Sequence, residues 1–206
     1  MKRRIFNISA LSLAAIPHMA MAQEDSKYTD GIHYVSLPNK LPTKAAKGKV
    51  EVIEFFSLLC IHCYELEPKI QAWMKTADKR LDIKKMHIAF DARTSTMQKL
   101  FYTLKSMGLA EKYTQDLLDV TFKLRQPIKD EQDMLDWCRS RSINTKDFYA
   151  HLHSFSVANE CKMVEKLTND YGVDATPTMG VAGQFFIPAQ GEKMFDIAQY
   201  LALQYK

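Results

Sequence analysis

The sequence predicts an α/β fold whose mixed sheet is interrupted by an all-helical insertion. Three observations predict it. An apolar run, Val50 to Phe56, reads as a central strand and passes through a short turn into a helix-like run from Tyr64. From about Thr96 to Tyr171 the apolar residues fall at helical spacing. After Thr176-Pro177 the pattern returns to strand, with Thr178–Val181 and Gln184–Ile187 on either side of Ala182-Gly183. The order β, β, α, β, several helices, β, β, α gives a core with parallel and antiparallel parts.

Taken in order, residues 1–22 read as a secretory signal. Lys2, Arg3 and Arg4 precede an apolar stretch from Ile5 to Ile16, and Ala20-Met21-Ala22 offers small residues for cleavage after Ala22. The apolar part is too short for a comfortable membrane span. Export is therefore expected, and with it an oxidising compartment where four cysteines tend to pair. The formal charge of +4 loses three basic groups with residues 1–22, leaving 4 − 3 = +1. So small a charge does not argue for nucleic acid. Apolar content of 47% against 25% charged excludes wholesale disorder.

A short strand is expected within Tyr34–Leu37, and a loop over 38–49 from Pro38, Pro42 and Gly48. The strand at 50–56 is apolar at most positions, which suits a central strand buried on both faces. Tyr64 to about Ala77 has Leu66, Ile70 and Trp73 on one helical face, with Pro68 expected to kink it or start a second segment. Leu81 to Phe90 alternates as a strand. Apolar stripes then mark helices ending at Gly108, near Pro127, around Trp137, around Leu152 and at Gly172, a suitable C-cap. Gly191 to Gln204 closes the chain as an amphipathic helix.

The chemistry concentrates in Cys60-Ile61-His62-Cys63, at the turn from strand to helix. With Cys60 as N-cap, its sulfur faces the unpartnered N–H groups of the first turn, and the helix dipole favours negative charge there. His62, if charged, adds to this. Cys60 is thus expected to be the exposed, low-pKa sulfur and Cys63 the more buried resolving one. Three rival readings are weaker. A c-type haem needs His after the second cysteine, where Tyr64 stands. A zinc site needs two further ligands, and Cys138 and Cys161 do not form a second pair of that spacing. A two-residue loop makes a poor structural staple.

Glu54 is the one acidic residue deep in the strand. It reads either as a solvent-reaching end residue or as a carboxyl beneath the cysteines, with a raised pKa, passing a proton when Cys63 ionises. Cys138 and Cys161 enclose 22 residues. A structural disulfide between them would contribute on the order of 3 kcal/mol; two separate buried thiols are the alternative.

The stretch Glu54-Phe55-Phe56-Ser57-x-x-Cys60-x-His62-Cys63-Tyr64, with the helical insertion and the late Thr176-Pro177, resembles the DsbA family of thiol–disulfide oxidoreductases over essentially the whole mature chain. The resemblance implies a thioredoxin-like fold in two parts, 23–95 and 172–206, around a helical insertion at 96–171. It implies that Cys60 is the nucleophile, Cys63 the resolving thiol, Glu54 the buried acid, Lys85 its basic neighbour and Pro177 a cis-proline beside the cysteines. A periplasmic oxidase of exported proteins with free cysteines is expected, re-oxidised by a DsbB-type membrane partner and working as a monomer, with no metal and no cofactor. Leu58, Leu59 and Ile61 are expected to form an apolar patch around the sulfur, and Ile61, Thr176 and Pro177 to meet the substrate. Two departures bear on poise. Ile61 stands where the family has proline, and Thr176 matches isomerase-type relatives. An isomerase or reductase therefore stays open, as does a metal-binding or chaperone module built on the cysteines, His62 and nearby Met.

Overall fold

The computed structural model describes residues 27–205; the expected signal, 1–22, lies outside them. β1 (Val35–Ser36) and β2 (Val50–Phe56) come first, then α1 (Ile61–Thr76) and β3 (Leu81–His87). Five helices follow: α2 (Ala92–Ser106), α3 (Ala110–Phe122), α4 (Glu131–Ser140), α5 (Thr145–Leu152) and α6 (Phe155–Tyr171). β4 (Thr178–Val181), β5 (Phe185–Ile187) and α7 (Lys193–Gln204) complete the chain.

The sheet order is β1-β5-β4-β2-β3. β2 and β3 run parallel, joined through α1, while β4 lies antiparallel to β2. β2 is central and buried from Val52 to Phe56, as a nearly continuous apolar run requires when both faces are covered. Its two faces feed separate cores. Ile53 and Phe55 pack with helices α2 to α6. Val52 packs with Leu66 and Ile70 of α1 and with Met194, Ile197 and Leu201 of α7.

Boundaries differ from the sequence pattern where caps or turns decide them. α2 begins at Ala92, not near Thr96, because Asp91 and Thr94 form a reciprocal capping box. α1 runs unbroken through Pro68 instead of restarting there. β3 stops at His87 rather than Phe90. The β4–β5 turn places both Ala182 and Gly183 at positive φ, and three residues, Ala182 to Gln184, lie between the paired Val181 and Phe185 instead of the two expected. Tyr171, the last residue of α6, accepts the Gly183 N–H at 3.1 Å. A Cβ at Gly180 would sit 2.5 Å from the Tyr171 ring, so this strand position must be glycine for α6 to end against the sheet.

Candidate active site

Cys60 is the N-cap of α1, with extended backbone (φ −102°, ψ 118°). Its side chain makes no capping hydrogen bond, but the sulfur stands at the helix end that favours negative charge. The Cys63 thiol donates to it, the N–H groups of Cys63 and His62 add to the effect, and together they hold Cys60 down to about 5 despite partial burial. Cys63 is buried. Its thiol is pushed far up, first because it is the donor to Cys60 and then by desolvation, with Glu54 also opposing its ionisation. One thiol is thus set to ionise and the other to keep its proton.

The second wall comes from the far end of the chain. The Thr176–Pro177 peptide is cis, and the Thr176 carbonyl lies 3.3 Å from the Cys60 sulfur. Beside Pro177, a cavity of about 400 Å³ runs between α1 and the loop before α7, reaching Leu66 and Gln190. Lys69 and Glu192 form an ion pair across it at 2.9 Å. His62 is exposed and faces Glu65 at 3.3 Å. Ile61 is 44% exposed, but Leu58 is fully buried, so the expected apolar patch consists of Ile61 and part of Leu59 only. The first position of the turn points into the core, which period-2 reasoning does not extend to.

Beneath the cysteines lies a buried charge cluster. Glu54 is fully buried, not an end residue reaching solvent. Parallel register sets it opposite Lys85 on β3, whose Nζ is 3.1 Å from its carboxylate. The same ammonium pairs with Glu67 of α1, which also accepts from Gln71 at 3.0 Å. Desolvation raises Glu54, with Lys85 working against it and Glu67 with it. Lys85 is raised: burial opposes its charge, but Glu54 and Glu67 together outweigh that. Sequence reasoning missed Glu67. The signal was there, since Glu67 follows Cys63 by four residues and must share its helix face.

His87 was also missed. Fully buried at the end of β3, it is held neutral, near 3, by desolvation. Its Nε2 accepts the Leu58 N–H at 2.9 Å, and its carbonyl accepts from Gln98 and Tyr102 of α2. It therefore ties the turn that carries Cys60 to the first helix of the insertion. No periodicity distinguishes such a histidine from an ordinary strand residue.

Cys138 and Cys161 are free thiols on α4 and α6, with α5 packed against both helices. All four cysteines are free in this structure, Cys60 and Cys63 included; the loop between Cys138 and Cys161 sets the entropy of closing a bridge but not the distance between the sulfurs. Burial raises both, Cys138 to about 11. We expect the protein with Cys60–Cys63 closed to expose two alkylatable thiols on unfolding. A count of zero by mass would show that Cys138 and Cys161 had joined.

A low-pKa thiol at a helix start, a buried thiol one turn behind it and the carbonyl before a cis-proline opposite, on a sheet flanked by helices, are the geometry of a dithiol–disulfide oxidoreductase. Residues 51–201 match the DSBA-like thioredoxin domain, and the chain belongs to that family. It is 32% identical over 183 residues to the thiol:disulfide interchange protein DsbA of Burkholderia cepacia, covering 89% of this chain and 86% of that one. It is 28% identical over 203 residues to DsbA of Pseudomonas aeruginosa. The crystal structure of Pseudomonas aeruginosa DsbA superimposes with a TM-score of 0.81 at 26% identity, over 86% of this chain and 94% of that one. The protein is thus a thiol:disulfide oxidoreductase that acts on substrate proteins by thiol–disulfide exchange.

Proposed function

We propose that the protein is a periplasmic oxidase in which Cys60 and Cys63 carry the disulfide. The observation that carries the reading is the placement of Cys60 at the start of α1, with buried Cys63 one turn behind it and the Thr176 carbonyl 3.3 Å from its sulfur. In the oxidised enzyme a substrate thiolate attacks the Cys60 sulfur, forming a mixed disulfide and breaking the Cys60–Cys63 bond. Cys63 leaves with the electron pair and takes a proton, for which Glu54, raised by burial, is the nearby source. A second substrate thiolate attacks the substrate sulfur of the mixed disulfide, and Cys60 leaves as thiolate. The substrate loses two electrons and the enzyme gains them. A low-pKa Cys60 is a good leaving group and stabilises the reduced enzyme, which makes the couple oxidising. Thr176, Pro177 and Ile61 present the surface on which an extended substrate lies, and His62 stands at its rim.

The remaining assignments rest on the resemblance and on residues 1–22: export, residues 96–171 as an insertion in a thioredoxin-like domain, a monomeric state and re-oxidation by a DsbB-type membrane protein. Among the described residues no helix is long and apolar enough to cross a membrane. The test is to trap the redox state in cells with an alkylating mass tag. A mostly oxidised Cys60–Cys63 pair supports the oxidase; a mostly reduced pair replaces it with the isomerase or reductase, and thiols shielded by metal with the binding module. Ile61→Pro gives a graded check. The N–H groups that serve the Cys60 sulfur belong to His62 and Cys63, so proline removes neither and pre-sets the first helical dihedral. The couple should become more oxidising by tens of millivolts, with ~30 mV equal to a tenfold change in equilibrium constant.

A further inference from the structure

The cis-proline side is one flank of Cys60. On the other, Leu59, the residue before the nucleophile, opens into a cavity of about 310 Å³ formed with Arg93 at the start of α2 and with Pro127, Ile128 and Lys129 of the α3–α4 loop. Those same three loop residues also line a larger cavity of about 540 Å³ that continues to Arg125. The segment 127–129 borders both, and the smaller cavity adjoins the active-site turn, giving a groove lined by both flanks of that segment.

Its chemistry is lopsided. The floor is apolar: Ile128 is buried, Leu59 and Pro127 half-buried, and Leu124 at the far end is 54% exposed. Arg93, Arg125 and Lys129 are exposed, and none forms an ion pair among the described residues. The acids nearby have partners of their own, although Asp91 also attracts Arg93, and Asp133 and Asp136 line the larger cavity. Asp91 accepts from Thr94, Asp133 accepts the Lys129 backbone N–H, Asp136 pairs with Arg139, and Asp116 pairs with Arg141 at 2.7 Å. Arg125 is one of three non-glycine residues at positive φ among the described residues, so the loop holds it on the groove wall at some backbone cost.

We propose that this groove is a second binding site for the substrate polypeptide, taking an extended acidic and apolar stretch beside the reacting cysteine, on the side away from the cis-proline. The inference rests on the oxidoreductase reading and adds a substrate preference to it. Side chains of leucine type fill the floor, and carboxylates meet Arg93, Arg125 and Lys129, which raises the chance that a cysteine in such a context is presented to Cys60.

The test compares two dithiol peptides that differ only in their flank, one rich in Glu and Leu and the other in Lys and Leu. The wild-type enzyme should show a KM for the acidic peptide about tenfold lower than for the basic one at low salt, with the gap closing at high salt. The double variant Arg93→Glu, Lys129→Glu should reverse the preference, while its rate with dithiothreitol stays at the wild-type value. Equal KM values for the two peptides in the wild type would overturn the site, as would a preference that survives charge reversal. Failure to oxidise dithiothreitol as well as both peptides would instead overturn the oxidoreductase reading.

Discussion

Lys85→Met should destabilise the protein by about 3–5 kcal/mol at pH 7. The ammonium is the shared partner of two buried carboxyls, Glu54 and Glu67, and a methionine leaves both without a countercharge. The loss depends on pH with a definite sign. Glu54 is already raised by burial, and without Lys85 it rises further. A carboxyl raised on folding contributes stability that is fully present below its unfolded value, near 4.3, and is lost as pH rises through its folded value. The deficit of the variant should therefore be small near pH 4 and grow towards pH 8. Chemical denaturation at both pH values measures it. A second variant, Lys85→Met with Glu54→Gln and Glu67→Gln, should recover most of the loss because no buried charge remains. A deficit that stays constant with pH, or persists in the triple variant, would mean that the lysine acts by packing alone.

Cys60→Ser should abolish dithiol oxidation, because no sulfur remains at the helix start for the substrate thiolate to attack. In the reduced wild type, alkylation of Cys60 by iodoacetamide should rise with a midpoint at about 5 and then level off, while Cys63 stays unmodified. Equal labelling of the two would reverse their roles. The same ionisation has a thermodynamic counterpart. Cys60 is depressed on folding, so the stability it gives the reduced form is complete above its unfolded value, about 8.5, and is lost as pH falls through about 5. The stability advantage of the reduced over the oxidised form should shrink between pH 8 and pH 4. An advantage that does not change over that range would detach the redox poise from Cys60.

Two aspects of the site were legible in residue order, and two were not. That Cys60 would cap a helix and Cys63 lie one turn inside it follows from spacing alone, since a helix places residues three apart on neighbouring positions. The period of two along a strand set Glu54 on one face with Val52 and Phe56, and a place beneath the cysteines was one of its two readings. Glu67 was accessible to the first rule, four residues after Cys63, but residue type argues against burying a glutamate, so it was not read as part of the site. His87 obeys neither rule: its role depends on Leu58, 29 residues away, and on a turn whose direction no local pattern sets.

By itself, the sequence determined the element order, the strand that carries the site, the turn that holds the cysteines and the hairpin after Pro177, because hydrophobic period, caps and turn residues act over a few neighbours. Tertiary structure alone decided which distant groups meet. Register on the β2–β3 pair set Lys85 between Glu54 and Glu67, the return of the chain brought the Thr176 carbonyl to the Cys60 sulfur, and α5 packed against both the helix of Cys138 and that of Cys161. Those meetings are long-range in the chain. They are fixed by how two buried clusters close on the sheet, a property of all the packed side chains together and of no single segment.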